Sequence, residues 1–459
     1  MNRHPIGWRF FIVVKYVIII DMKLPLTISG QKITIEKLVP GGQGIGTLAQ
    51  LEKPSTTDVS AIQRTESLIG KKGFFWNTLP GEIVTEFTIT RNKSKYYEAI
   101  AERIENPSPH RTEPKDECFL STSPWQMMDY NYELEQKREL LIEVFRQNHL
   151  DISAMLDSVT VQTDGKDFSY RNKMEYALYW NIEDSKIKLA FHQRGSHRKV
   201  PIAQSSIERP EIYEKACQII NELNERHEEA RKYQSLLLRT NQKGKVSGGL
   251  YENHQPHPVF SNLSDTILGM EYSYSPNGFF QINLPVYEMV LKEIQKHITT
   301  EKVLDLYAGV GTIGLSIARD KNLVLVESNK AAYVELEKNC NKVAGANNIT
   351  PVLSNSEDAL DYIAPDQTVI VDPPRAGCDK KLLEKLLEVK PGKIIYLSCN
   401  PATQARDIAI LTGANVAMTA SQQAISAIYQ IEKIQPFNFF PRTPHLENLI
   451  ILSLQTTTK

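Results

Sequence analysis

The sequence predicts an α/β protein, with a doubly wound parallel sheet in its C-terminal part, a central α+β region and an N-terminal β-barrel. Three observations carry this expectation. From Ser275 onward, apolar strands alternate with helical stretches: "KVLDLY", "LVLVES", "TVIVDPP" and "KIIYLSC". Repeated strand–helix units with buried strands build parallel sheets. One unit, "KVLDLYAGVGTIGLSIA", is strand, glycine-rich turn and helix. Upstream, Leu24 to Ile104 reads as short alternating strands broken by Gly41, Gly42, Gly44 and Gly46, the pattern of a small barrel.

The chain has 459 residues, room for about three domains. Hydrophobic residues make up 41% and charged residues 23%, with a formal net charge of -1. Bulk charge therefore gives no sign of an anionic partner, and any polyanion must be met by local basic patches. The five cysteines, Cys118, Cys217, Cys340, Cys378 and Cys399, are scattered, odd in number and form no CxxC. That usage fits a reducing compartment without a disulfide framework.

The elements follow in order. "WRFFIVVKYVIII" (Trp8–Ile20) is apolar but holds Arg9 and Lys15, and it is short for a spanning helix. No small-residue cleavage pattern follows it. Met22 opens a natural-looking start, so residues 1–22 are expected to lie outside the working fold, with a membrane-touching segment as the alternative. The barrel is expected over 23–107, where Lys93, Lys95 and Arg103 offer a basic face or ordinary solvated strand edges. "ENPSPHRTEPKDE" is a proline-rich linker into the central region, 108–274, and "NYELEQKRELLIEVFRQN" has helical spacing. "YRNKMEYALYW" and "LAFHQRGSHRKVPI" carry Arg171, Lys173, Arg194, His197, Arg198 and Lys199 beside Tyr170 and Phe191. Cations interleaved with aromatics suit a phosphate backbone and stacked bases; a solvated hairpin face is the plainer reading. "KACQIINELNERHEEARKY" reads as a surface helix. The α/β domain is expected over 275–459.

In that domain Gly309, Gly311 and Gly314 satisfy GxGxxG, and Glu327 ends the next strand 22 residues after Asp305. This is where an acid meets ribose hydroxyls, and alone it fits a nicotinamide dinucleotide as well as any other nucleoside cofactor. "VIVDPPRAG" then puts Asp372 at a strand's carboxyl end before two prolines. Proline forces its predecessor to be extended, giving a stiff loop at the crevice where such sheets bind ligands.

Taken together, "DLYAGVGTIGL", "DPPRAG", "LSCNPATQARD", "FFPRTPHLENLIIL" and "SPNGFFQIN" resemble the motif series of the RNA uridine-C5 methyltransferases. "YRNKMEY" and "FHQRGSHRKV" match the family's central domain, and the barrel is similar to its TRAM domain, an OB-like RNA-binding module, with an insertion around Gln50 to Lys72. The resemblance spans Leu24 to Leu454. It implies a Rossmann-like, S-adenosylmethionine-dependent methyltransferase domain that makes 5-methyluridine in structured RNA, 23S rRNA ahead of tRNA. RNA is the implied partner, with no DNA and no membrane, for a monomer in the cytoplasm.

The resemblance also assigns roles. Cys399 matches the nucleophile and Glu447 the proton-abstracting base; His445 is a rival base by chemistry alone, since imidazole titrates near neutral pH. Gln281, Tyr307, Gly309, Glu327 and Asp372 match positions that bind the cofactor or lie beside it. Arg171, Lys173, Arg194 and Arg198 are the candidate RNA contacts. The pairing of Cys with a base has a chemical reason. Carbon 5 of uracil is a poor nucleophile until a thiolate adds at C6, and a base must then take the C5 proton.

The chain departs from relatives that carry a four-cysteine iron–sulfur site. The first cluster segment here reads "ECFLSTSPWQMMDY", with Cys118 alone, and the later one, "VPIAQSSIERP", has no cysteine. One thiolate cannot hold a cluster that uses four, so no iron–sulfur cluster and no other metal is expected. Cys340 and Cys378 read as packing or surface thiols. Two other functions remain open on the sequence: cytosine-C5 methylation, which uses the same Cys-at-C6 logic, and an idle RNA-binding protein on the same fold.

Overall fold

The computed structural model describes residues 26–49, 65–257, 260–343, 348–414 and 428–455. The expected extension at 1–22 lies outside these residues, as does the insertion near Gln50 apart from residues 65–72.

Strands β1 (Leu26–Leu38), β2 (Gly44–Thr47), β3 (Lys72–Trp76), β4 (Ile83–Asn92) and β5 (Tyr96–Glu105) close into a barrel in the order β1-β2-β3-β5-β4. Only β3 and β5 run parallel. Period-two alternation sends Ile33, Ile35, Val84, Phe87 and Ile89 inward, as expected for a closed small barrel of the OB type.

A six-stranded antiparallel sheet follows, in the order β11-β10-β9-β6-β7-β8. Its strands are β6 (Lys173–Asn181), β7 (Lys186–His192), β8 (Lys199–Pro201), β9 (Ser235–Thr240), β10 (Val246–Glu252) and β11 (Gln255–His257). Two helices accompany it in sequence, α1 (Tyr130–Gln147) and α2 (Pro210–Glu225). Helix α2 corrects an expectation. It starts earlier, with Pro210 in its first turn, and stops at Glu225 instead of reaching Tyr233. After Leu223 the apolar repeat ends, and His227 turns the chain away at φ 54°. Helix α1 packs elsewhere: Leu141, Ile142, Val144 and Phe145 join the core beneath the C-terminal sheet. Its buried Lys137 donates to Glu133 (2.8 Å), to Asn438 (2.6 Å) and to the Phe440 carbonyl (3.1 Å), tying the helix to the loop before Glu447.

After the hairpin β12 (Leu263–Ile267) and β13 (Met270–Tyr274) comes the α/β domain. Its elements are α3 (Leu284–Gln295), β14 (Lys302–Leu306), α4 (Thr312–Ile317), β15 (Asn322–Glu327), α5 (Lys330–Asn341), β16 (Ile349–Leu353) and β17 (Gln367–Val371). They continue through α6 (Lys380–Val389), β18 (Lys393–Ser398), α7 (Pro401–Leu411), β19 (Tyr429–Phe437) and β20 (Glu447–Leu454). The sheet order is β16-β15-β14-β17-β18-β20-β19. The five strands β14–β18 run parallel, as expected, but β20 is antiparallel to β18 and β19. The last two strands are hydrogen-bonded neighbours, and an antiparallel pair needs no helical crossover. Both faces are covered: Ile370, Ile395 and Leu449 enter one core, and Val369, Val371, Tyr396 and Ile450 the other. That is why the strands read as continuous apolar runs. Among the described residues no helix is long and apolar enough to cross a membrane.

Candidate active site

A cavity of about 1460 Å³ opens at the carboxyl ends of β14, β15, β17 and β18. Strand order reverses between β14 and β17, the place where open α/β sheets bind ligands. Gln281, Tyr307, Gly309, Glu327, Asp372, Cys399 and Glu447 all line it. Seven positions scattered over 167 residues of chain thus share one wall.

The glycine-rich turn is built by close approach. Gly309 has φ 60° and Gly311 φ 89°. A Cβ on Gly311 would stand 2.6 Å from Leu336, and one on Gly314 would stand 2.9 Å from the Asp305 carboxylate. A Cβ on Gly309 would meet no protein atom within 4 Å, because that side of the turn faces the cavity. Glu327 accepts from the Gly309 amide (2.8 Å) and the Asn329 amide (2.6 Å), so one carboxylate fixes the turn and the start of α5. Tyr307 holds φ 64°, a conformation that costs energy in a residue with a side chain and recurs at functional sites. Behind the turn Asp305 is fully buried; it accepts from the Gly314 amide (2.8 Å), while its other oxygen has no partner. Burial, then Asp372 and Glu327, push its carboxyl up to about 7.

At the other end of the cavity, α7 clamps the loop that carries Asp372. Asn400 donates to the Arg375 carbonyl (2.7 Å), Thr403 to the same carbonyl (3.2 Å), and Arg406 to the Ala376 carbonyl (3.1 Å). Asp407 accepts from the Cys378 amide (2.8 Å) and the Tyr396 hydroxyl (2.7 Å). The "NPATQARD" and "DPPRAGC" motifs are therefore two halves of one structure. Cys399 lies in the single-residue gap between β18 and Asn400, the cap of α7. Burial, then Glu447 and Asp372, push its thiol up to about 12, while Arg375 pulls the other way. Asp372 reaches into the cavity, and loss of bulk water raises it to about 7. Glu447 opens β20 opposite Phe437 and is 6% exposed. Burial and then Asp372 lift its carboxyl well above the usual range.

His445 is not among the described residues lining the cavity. Loss of water, then Arg375, Lys137, Arg194 and Arg171, push its imidazole down to about 4. Its ring remains exposed, so the cations are the firmer cause.

The four candidate RNA contacts are not equivalent. Arg198 is exposed on the turn between β7 and β8. Arg194 lies 4.0 Å over the Trp76 ring and donates to the Leu120 carbonyl, joining the central sheet to the barrel. Arg171 donates to the Lys173 carbonyl (3.0 Å). Lys173 donates to the carbonyls of Asn277 (3.3 Å) and Gly278 (3.4 Å). On the barrel, Lys93, Lys95 and Arg103 are exposed.

The cluster segments of iron–sulfur relatives meet here through oxygen and amide groups. Asp116 accepts from the Ser206 amide (3.0 Å) and from Gln126 (2.9 Å), and Gln126 donates to Ser123 (2.7 Å). With Cys118 as the single thiol of the two segments, these residues do not fit an iron–sulfur cluster held by four thiolates. Among the described residues no three His, Cys, Asp or Glu side chains are grouped to hold a metal.

Sequence reasoning missed several residues of the site. Phe279 is 77% exposed at the cavity wall. Arg239 is fully buried against the same segment; its signal was a charge inside the apolar strand "SLLLRT". In the sequence, Arg375 and the α7 clamp are only letters of the "DPPRAG" and "NPATQARD" motifs.

Residues 262–455 match the family model described as tRNA (Uracil-5-)-methyltransferase. An uncharacterized RNA methyltransferase of Bacillus anthracis is 27% identical over 442 residues, 83% of this chain and 92% of that protein. One from a Nostoc species is 26% identical over 448 residues, with 84% and 92% covered. The crystal structure of Pyrococcus abyssi tRNA (uracil-54, C5)-methyltransferase, in complex with S-adenosyl-L-homocysteine, shares the fold. Its TM-score is 0.64 at 23% identity, covering 92% of this chain and all of that one. The chain thus resembles RNA methyltransferases along most of its length, and its stretch 262–455, which holds the turn, both clamp motifs and Glu447, matches the tRNA (uracil-5-)-methyltransferase family.

Proposed function

We propose that this chain methylates C5 of a uridine in structured RNA, rRNA or tRNA, through a covalent bond between Cys399 and C6. The observation that carries the proposal is the single cavity lined by Gly309 and Glu327 at one end and by Cys399, Asp372 and Glu447 at the other.

The first end fits S-adenosylmethionine. A Gly309 side chain would occupy the cavity, Glu327 offers a carboxylate to ribose hydroxyls, and Gln281 and Tyr307 bound the same space. When bound, this cofactor supplies an electrophilic methyl group. The rest of the chemistry falls to the chain. The Cys399 thiol, protonated at rest, adds its sulfur to C6 as its proton leaves to solvent, and the C5=C6 electron pair moves onto the ring. Arg375 favours the thiolate. C5 then accepts the methyl group. Glu447, once its own carboxyl proton has passed to solvent, removes the C5 proton, the double bond re-forms, and the C6–S bond breaks to return the thiolate. The burial that raises Glu447 makes its bare carboxylate a stronger base than an exposed one. Because a uracil inside a helix offers neither C5 nor C6, the base must be extruded into the cavity, with Arg198 and the exposed barrel lysines as candidate backbone contacts.

RNA containing 5-fluorouridine tests this. Fluorine at C5 cannot leave as a proton, so elimination stops. The expected product is a denaturation-resistant, methylated protein–RNA adduct on Cys399, absent in Cys399→Ala. RNA that binds but yields no adduct, together with no methyl transfer to total rRNA and tRNA, would overturn the proposal in favour of a binding protein.

A further inference from the structure

We infer that Lys173 and Arg239 of the central sheet, with Asn172 just before β6, position one wall of the cavity by holding the segment Asn277–Gln281 through its carbonyl oxygens. The inference rests on the proposed function for the identity of the ligand that this wall meets.

The segment has little structure of its own. One turn bond, from the Gly278 amide to the Ser275 carbonyl (3.1 Å), precedes the α3 cap at Asn283. The Ser275 hydroxyl also bonds the Asn277 side chain, and the Phe280 ring stacks on Tyr274 at 3.9 Å, but the hydrogen bonds to the segment's own carbonyls come from outside it. Lys173 donates to the carbonyls of Asn277 and Gly278 (3.3 and 3.4 Å). Arg239 donates to those of Gly278 (3.2 Å), Phe280 and Gln281 (3.2 Å). Asn172 donates to Gln281 as well (3.0 Å). Because carbonyls on both sides of Phe279 are held, Phe280 stays in the core and Phe279 is turned outward at the cavity. Gln281 is turned into the same wall.

Arg239 is an expensive way to do this. It is fully buried, its guanidinium 4.9 Å from the Tyr274 ring centre and 5.5 Å from that of Phe280. No carboxylate forms an ion pair with it among the described residues, and its Nε has no partner. An apolar residue of similar volume would satisfy a core at less cost, so the fork is kept for the carbonyls it meets. Burial and then Arg239 push Lys173 down to about 8, and its ammonium is directed at the Asn277 and Gly278 carbonyls. The residues that read as an RNA-binding cluster thus include a brace for the cofactor cavity, and the central sheet and the catalytic site are mechanically one.

The test compares two affinities in the full-length chain. S-adenosylhomocysteine is titrated by calorimetry, and unfractionated tRNA by filter binding at two salt concentrations. Lys173→Met is expected to weaken S-adenosylhomocysteine about tenfold, as for loss of a charged hydrogen bond, while tRNA affinity stays within about twofold and keeps its salt slope. Arg239→Lys should move S-adenosylhomocysteine further in the same direction; if it does not fold, Lys173→Met decides alone. A role in general stability would lower the melting temperature without changing the ratio of the two affinities, and that result overturns the inference. So does an unchanged S-adenosylhomocysteine affinity with a tRNA salt slope reduced by about one, the signature of a lost phosphate contact. Wild-type protein that binds no S-adenosylhomocysteine would overturn the proposed function and this inference together.

Discussion

Replacing Glu447 by glutamine should stabilise the C-terminal sheet above neutral pH. The carboxyl is 6% exposed and is driven well above the usual glutamate range by burial and then Asp372. An acid raised on folding holds its proton more tightly in the folded state. Its contribution is fully present below the unfolded pKa and is lost as pH climbs through the folded one. Fully buried Asp305 sets the scale. A rise from 3.8 to about 7, at about 1.4 kcal/mol for each pH unit, withdraws on the order of 4 kcal/mol between about pH 4 and pH 8. Asp372 withdraws less, because water in the cavity screens it. Glutamine keeps the shape of Glu447 without the charge and relieves Asp372 too. The variant should therefore be more stable than wild type at pH 8 and show no gain at pH 4. Urea titrations read by hydrogen-exchange mass spectrometry of β17 and β18 report on this sheet alone. A variant less stable than wild type at pH 8, or one with the same pH slope, would mean that folded Glu447 is ionised and well satisfied. The electrostatic reasoning would then be wrong.

Other expectations follow from the same geometry. Glu447→Gln should also transfer methyl groups to ordinary RNA yet accumulate the methylated Cys399 adduct; free methylated RNA at the wild-type rate would remove Glu447 from the elimination step. Arg375→Met should slow iodoacetamide alkylation of Cys399 at pH 8, since it removes the cation that favours the thiolate; faster alkylation would refute that role. Gly309→Ala should cost about 1 kcal/mol of stability for a side chain at positive φ but weaken S-adenosylhomocysteine at least about tenfold, because the methyl enters the cavity. Unchanged affinity would put the ligand elsewhere. Asp407→Ala strands the buried Cys378 amide and Tyr396 hydroxyl, costing about 3 kcal/mol, and should lower kcat through the loosened Asp372 loop; a stable, fully active variant would show that the α7 clamp is dispensable.

The sequence by itself determined the strand–helix alternation of the C-terminal sheet and offered part of the candidate site. Runs such as "TVIVDPP", bounded by turn residues, read as strands covered on both faces, and the glycines after β14 read as a tight turn before a helix. These are local properties, set by side-chain period and backbone sterics. The motif series likewise named Cys399, Asp372, Glu327 and Glu447 before any of them had been brought together. Tertiary structure alone decided how each residue is used. The charge on Lys173 pointed outward to RNA, yet its ammonium meets the carbonyls of a segment more than a hundred positions away. Arg239 stands in an apolar strand, and nothing local says which carbonyls it will face. The antiparallel turn of β20 places Glu447 in the wall with Cys399, and α1 leaves its sequence neighbours to pack beneath the C-terminal sheet. Protonation was also out of reach of the sequence. Whether a carboxyl or thiol is charged depends on water lost and charges gained across the fold. Cys399, Asp372 and Glu447 acquire their raised proton affinities only when folding brings them to one cavity.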